Sequence, residues 1–172
     1  SLQPLGSSFE EYRDSLVEWA EKARNLGFRA VKSEVTMNGP YAHNGMEEND
    51  EKHTLVLEAV RKALGPEIKL MVDVQYKWKT AEDALRTVKD WEEFDIYFLE
   101  TPVWTDSLED YARMHEEAPM KIAAGEWLST SHEFYDLITK GKIDVAQPDI
   151  GRVGGLTEAK KVSKLADQFD RI

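Results

Sequence analysis

The 172-residue chain carries 33 acidic against 22 basic residues, a net charge of −11, and no cysteine. That balance argues against a nucleic-acid or anionic-membrane surface, since both demand clustered Lys and Arg. The absence of thiols excludes disulfide scaffolds, thiolate metal sites and cysteine nucleophiles, and suits a cytoplasmic location.

No apolar run is long enough for a membrane helix. A capping box from Ser8 to Glu11 predicts a helix with Tyr12, Leu16, Trp19, Ala20 and Ala23 on one face, ending near Gly27. "FRAVKSEV" reads as a strand. Alternation there puts Lys32 and Glu34 on one face and Val31 and Val35 on the other. The loop "TMNGPYAHNGMEEND" is rich in Gly, Asn and Pro. A helix follows with Val56, Ala59, Val60 and Ala63 inward, stopped by Gly65 and Pro66. "IKLMVDV" is the next strand. Thr80 caps a helix that turns Ala84, Leu85, Val88 and Trp91 inward, and "DIYFLE" follows as a strand. Ser107 opens a short helix through Leu108 and Tyr111. "MKIAAGE" is a strand, the box Thr130 to Glu133 opens a helix with Phe134, Leu137 and Ile138, and "KIDVAQPD" is a strand. The last helix runs from about Leu156 toward Phe169.

Strands alternating with helices predict an α/β fold with a parallel sheet and right-handed crossovers. A doubly wound sheet would favour a Gly-rich phosphate loop after an early strand. None is present, and "GRVGG" comes late and lacks the dinucleotide fingerprint. A (β/α)8 TIM-type barrel predicts functional side chains at the ends of successive strands. The acids follow that second pattern. Asp73 closes "IKLMVD", Glu100 "DIYFLE", Glu126 "KIAAGE" and Asp149 "DVAQPD". Asp73 to Glu100 is 27 residues, Glu100 to Glu126 is 26 and Glu126 to Asp149 is 23. Each is one strand-plus-helix step, so four carboxylates share one rim, with Lys32 and Glu34 at the same level on the preceding strand.

A single acid after an apolar strand is ordinarily a cap or a solvated loop residue. Four in register repel one another at a low-dielectric rim unless a cation neutralises them or their pKa values rise. A hard divalent cation on carboxylate oxygens answers this, and Mg²⁺ suits few protein ligands plus substrate. The four histidines show no zinc-like pairing. His53, His115 and His132 read as helix-surface residues; His43, in the long loop, is placed to reach a substrate.

"LMVDVQ", "FLETPV", "AAGEWLST" and "VAQPDIGRVGGLTEA", in this order and spacing, resemble the enolase superfamily in its mandelate racemase-like branch, from about Gly27 to Ala166. A glutamate as third acid favours that branch over the muconate-lactonizing one. The resemblance implies a modified (β/α) barrel capped by a separate α+β domain, and Mg²⁺ as cofactor. By motif match it implies Asp73, Glu100 and Glu126 as metal ligands. Asp149 then pairs with a histidine on the next strand in a catalytic dyad, and Lys32 is the first lysine of a "KxK" on the second strand.

The chemistry stands beside the resemblance. Removing a proton α to a carboxylate builds two negative charges on one small group, an enediolate that a divalent cation stabilises as a Lewis acid. Lys32 can stabilise charge there or hold down the pKa of a neighbour, or be an ordinary ion-pair partner of Glu34 or of a metal ligand. Two positions depart from the pattern. Glu34 replaces the second lysine, so it orients Lys32, binds a hydroxyl, touches the metal, or serves as a base with a raised pKa. Gln75 stands where Asn is common and counts as a substrate-side residue. Tyr41 and His43 are candidate acids or substrate contacts.

The chain reads as five barrel strands, the second through the sixth, against about 250 residues and eight strands for a whole barrel. Residues 1–172 are therefore expected to be a partial barrel domain of a longer protein, with open sheet edges and no activity alone. The leading expectation is dehydration of a sugar acid. The alternatives are racemisation, epimerisation or cycloisomerisation through the same intermediate, and a non-catalytic metal-binding relative. A Schiff-base enzyme using Lys32 is disfavoured, because nearby acids keep that lysine protonated. The partners expected are a small carboxylate substrate and further copies of the full-length protein; neither nucleic acid nor membrane is expected.

Overall fold

The computed structural model describes residues 1–172. Five strands, β1 (Ala30–Glu34), β2 (Lys69–Asp73), β3 (Ile96–Glu100), β4 (Lys121–Ala124) and β5 (Val145–Ala146), form one parallel sheet in sequential order. Six helices alternate with them: α1 (Phe9–Asn25), α2 (Asp50–Leu64), α3 (Ala81–Val88), α4 (Leu108–Glu117), α5 (Ser131–Thr139) and α6 (Leu156–Gln168). This is the consecutive β/α winding of a barrel wall, as the strand-end acids predicted. No helix is long and apolar enough to cross a membrane.

Helix boundaries follow the capping chemistry. Ser8 and Thr130 form reciprocal capping boxes with Glu11 and Glu133, and Asn49 and Thr80 accept from Lys52 N–H and Asp83 N–H. α3 tightens into a 3₁₀ turn, Lys89–Phe94, which buries Trp91 completely. Trp19 departs from its expected place. The buried stripe of α1 is Phe9, Tyr12, Leu16, Ala20 and Ala23, and Trp19 falls just beyond its edge, 38% exposed, with the Lys22 ammonium 4.6 Å from its ring. The predicted strands also shorten, most of all β5, which keeps two residues before Pro148.

The sheet has two unlike faces. Val31, Leu70, Val72, Leu99, Ile122 and Ala124 pack under the helices in the main core. Each valine, leucine or isoleucine among them contributes about 1.5–3 kcal/mol by leaving water. Met71, Phe98, Ala123 and Val145 form a small apolar cluster apart from that core. Strand alternation assigns Lys32, Glu34, Asp73 and Glu100 to this second face. The edges are not bare. Leu2 N–H donates to Lys32 O at 2.6 Å and Glu34 N–H to Leu2 O at 3.0 Å, a parallel bridge on the outer side of β1. On β5, Ala146 N–H donates to Ile172 O at 2.8 Å and Ile172 N–H to Asp144 O at 2.9 Å.

Two histidines differ from expectation. His53 is fully buried rather than on a helix surface. Met37 N–H donates to its Nε2 at 3.1 Å and its Nδ1 reaches Asn49 O at 2.9 Å, so the ring ties the loop after β1 to α2. An amide only donates and a carbonyl only accepts, which requires the neutral Nδ1–H tautomer. His115 is half-buried, 3.0 Å from Asp144. His132 is exposed as expected.

Candidate active site

Register brings the strand-end acids together. Glu34 pairs with Asp73, Asp73 with Glu100, and Glu100 with Ala123, three residues before Glu126. Glu34, Asp73 and Glu100 thus form one row across three strands. Lys32 reaches into it: its Nζ lies 2.5 Å from Glu100 Oε2 and 3.5 Å from Asp73 Oδ2. Lys32 does not pair with Glu34, which corrects that alternative. Glu34 instead accepts from Gln3 Nε2 and Thr36 Oγ1, each at 3.2 Å. Burial opposes the Lys32 charge, but Glu100 and Asp73 outweigh it and hold its pKa above the usual lysine range. A permanent ammonium offers no free amine for a Schiff base.

Asp73 feels the opposite balance. Burial, then the Glu100 charge, raise its carboxyl to about 6; Lys32 and the Gln75 N–H pull it down, and Glu126 adds a further push upward. Asp73 Oδ1 accepts from Gln75 N–H at 3.0 Å and from Thr101 Oγ1 at 3.2 Å. Gln75 thus serves the row through its backbone. The backbone here is strained: Gln75 (φ 45°), Tyr76 (φ 59°) and Thr101 (φ 47°) all lie in the left-handed region. None is glycine, and for β-branched Thr101 the conformation is an outlier. Such residues cost of order 1–3 kcal/mol each and persist only where the surroundings hold them. Tyr76 N–H donating to Thr101 O at 2.7 Å is part of that hold.

The remaining candidates sit at the loops. Glu126 lies beyond β4, and Trp127 Nε1–H donates to its Oε1 at 3.1 Å. Gly125, at φ 119°, makes this turn possible, because a Cβ there would lie 2.4 Å from the Phe134 ring. Asp149, exposed beyond β5, accepts from Gly151 N–H at 2.7 Å and Arg152 N–H at 3.2 Å, both on Oδ1. The Arg152 guanidinium stacks 3.8 Å from the Trp127 ring, linking the two loops. Tyr41 stands 6.1 Å from Tyr76 and 6.2 Å from Trp104, which stack on each other at 4.3 Å. His43 is bound elsewhere: Nε2 lies 2.9 Å from Gly6 O and its ring meets Tyr12 edge-on. Tyr76, Thr101, Trp104, Trp127 and Arg152 had not been singled out from the sequence. The quoted motifs reach Thr101, Trp127 and Arg152, but no residue-level signal marks the stack.

A hard divalent cation fits the chemistry of this donor set. Three carboxylates interact with one ammonium among them, and Asp73 is left partly uncompensated. In this arrangement the Lys32 ammonium lies against Asp73 and Glu100, and no three acidic or histidine side chains close on a single point.

The family described as "Enolase C-terminal domain-like" matches residues 15–171. The chain belongs to it. A 3,6-anhydro-alpha-L-galactonate cycloisomerase of Streptomyces coelicolor is 33% identical over 82% of this chain and 36% of its own. An arabinonate dehydratase of Saccharolobus solfataricus is 33% identical over 82% of this chain and 35% of its own. The crystal structure of L-talarate dehydratase from Polaromonas sp. JS666, complexed with Mg and L-glucarate, superposes with a TM-score of 0.80 at 27% identity, over 98% of this chain and 43% of that one. The chain spans about a third of the length of these curated relatives.

Proposed function

We propose that the longer protein to which this barrel segment belongs removes the proton α to the carboxylate of a sugar acid, and that a β-hydroxyl then leaves as water. The observation that carries the reading is the row of Asp73, Glu100 and Lys32, with Glu126 in the adjoining loop, on successive strands of an enolase-type barrel. Residues 1–172 act as a partial barrel domain in this reading, without turnover alone.

Asp73, Glu100 and Glu126 would hold Mg²⁺. When bound, the ion supplies a Lewis acid for the negative charge that develops on the substrate carboxylate. Lys32 supplies a second positive charge beside that group, pinned by Glu100 and Asp73. Asp149 keeps Oδ2 free while Oδ1 holds its own loop, so it can orient a histidine base. That base takes the α-proton; the electron pair forms the α–β double bond as the β C–O bond breaks, and the protonated base gives its proton to the departing hydroxyl, which leaves as water. The resulting enol takes up a proton at the β-carbon to give a 2-keto-3-deoxy acid. Glu34, fixed by Gln3 and Thr36, is read as an acceptor for a substrate hydroxyl. Gln75 and Tyr41 line the substrate side, and His43 reaches it only by leaving Gly6.

Cycloisomerisation is the second reading, supported by the similarity to the anhydrogalactonate cycloisomerase. Incubating the full-length protein with Mg²⁺ and a panel of sugar acids separates the two. Accumulation of 2-keto-3-deoxy acid is expected. Deuterium entering the α-position with no keto product would count against dehydration.

A further inference from the structure

Tyr76 is almost wholly buried, 2% exposed, yet its hydroxyl has no hydrogen-bond partner. Buried donors are nearly always satisfied, and an orphan calls for an explanation. Packing does not supply one, because a phenylalanine would fill the same space without desolvating an O–H. Nor is the ring loosely placed. It stacks on Trp104 at 4.3 Å with 15° between planes, and its backbone is strained at φ 59° and tied to Thr101 O. The surroundings therefore hold the hydroxyl at a chosen place.

The acceptor within reach of that place is Glu126. After burial, the Glu126 carboxylate is the main influence pushing the Tyr76 hydroxyl above the usual tyrosine range, with Asp73 a lesser one. Glu126 has one oxygen engaged: Oε1 accepts from Trp127 Nε1–H, and Oε2 accepts from nothing in the protein. The half-buried Glu126 carboxylate acts on the Tyr76 hydroxyl both by its charge and as a hydrogen-bond acceptor, and its Oε2 is the oxygen left for that hydroxyl.

We propose that Tyr76 is a positioning residue for Glu126, donating its hydroxyl to the oxygen that Trp127 leaves free and so fixing the direction in which Glu126 faces Asp73 and Glu100. The inference rests on the reading of these acids as a Mg²⁺ site. With a donor on each oxygen, Glu126 keeps one lone-pair direction per oxygen for an ion. Outer partners of this kind govern metal affinity by 10–100-fold.

The test is Mg²⁺ titration of the full-length protein by calorimetry, without substrate. Tyr76→Phe is expected to weaken Mg²⁺ binding about tenfold while leaving the urea midpoint unchanged or higher. In a Glu126→Gln background the same change should have no further effect. Undiminished affinity in Tyr76→Phe, or equal losses in both backgrounds, would overturn the role of Tyr76. If the parent binds no Mg²⁺, or Asp73→Asn binds it as well as the parent, the metal reading falls first and the inference with it. If Tyr76→Phe fails to fold, the hydroxyl is structural and the proposal is likewise overturned.

Discussion

Lys32 Nζ on β1 lies 2.5 Å from Glu100 Oε2 on β3, reaching across β2 and past Asp73 to do so. One ammonium therefore holds two neighbouring strand ends that would otherwise repel. Lys32→Met should leave both carboxylates short of a counter-charge and cost about 1–3 kcal/mol at pH 7.5, less than for a fully buried pair because Lys32 is partly exposed. Unpaired buried acids have raised pKa values, so the deficit should shrink as pH falls toward 5. Mg²⁺ should restore more stability to the variant than it adds to the parent. Urea melts with and without Mg²⁺ check this; equal increments would show that ion and lysine do not share the site.

The proposed function gives Asp149 two jobs on two oxygens, and they can be separated. Asp149→Asn keeps an acceptor for Gly151 and Arg152, so the loop should stay closed while the charge that supports a histidine base is lost. In the full-length protein turnover should fall at least 100-fold with Mg²⁺ affinity within about twofold, since general-base assistance is worth 10²–10⁴. Asp149→Ala should open the loop as well and lower the thermal midpoint. Full turnover in the Asn variant would remove Asp149 from the reaction.

Glu34 is held by Gln3 and Thr36 and not by Lys32. In the proposed reading it accepts from a substrate hydroxyl. Glu34→Gln should raise KM more than it lowers kcat, with α-proton exchange into D₂O retained within about tenfold, because a hydroxyl contact contributes chiefly to binding. Loss of exchange by several orders of magnitude would instead make Glu34 the base.

His53 should impose a pH dependence on stability. Burial first, then the Lys77 charge, lower its pKa from 6.5 to about 4. The unfolded chain takes up a proton near pH 6.5 and the folded one only near 4. Stability is therefore full above about 6.5 and lost as pH falls toward 4, by roughly 2–3 kcal/mol. Half-buried Asp50 and buried Lys77 sit on the same knot, where the two pair at 2.7 Å. Burial brings the Lys77 ammonium to about 8, and it adds no titration in that window. The raised Asp73 carboxyl works the other way over the same window, so the readout in denaturant titrations is the difference between the two proteins: between pH 6.5 and 4 the parent should lose stability relative to His53→Gln, and a pH-independent difference would locate the dependence elsewhere.

Gly125 is a geometric requirement of the Glu126 turn. Gly125→Ala should cost at least about 2 kcal/mol, from overpacking and from the backbone conformation together. The clash is with the Phe134 ring, so Phe134→Leu in the same chain should recover part of it by thermal melts. No recovery would put the cost in the backbone alone.

Much of this was legible before the structure. Capping boxes at Ser8 and Thr130 and apolar periodicity located the helices, because these signals are local. The acids were legible because one residue closes each strand at a barrel-like interval. What escaped depends on neighbours distant in sequence. His53 looks like a surface histidine until the loop residue Met37 folds back onto its ring. For Lys32 the sequence left an ion pair with Glu34 or with a metal-ligand acid open, and only register decides for Glu100 and Asp73. Leu2 and Ile172 cover sheet edges although neither lies in a strand-like run. Gln75, Tyr76 and Thr101 adopt left-handed backbone without the glycine that announces it, so the Tyr76–Trp104 stack had no sequence signature.

If the proposed reaction is right, those three left-handed residues set selection for stability and selection for turnover against each other. Exchanging Thr101 for glycine would relax the chain and forfeit the hydroxyl that steadies Asp73. Random drift toward sturdier variants should therefore be expected to erode this rim first, and a library screened only for heat resistance should come back enriched in proteins that fold better and work worse.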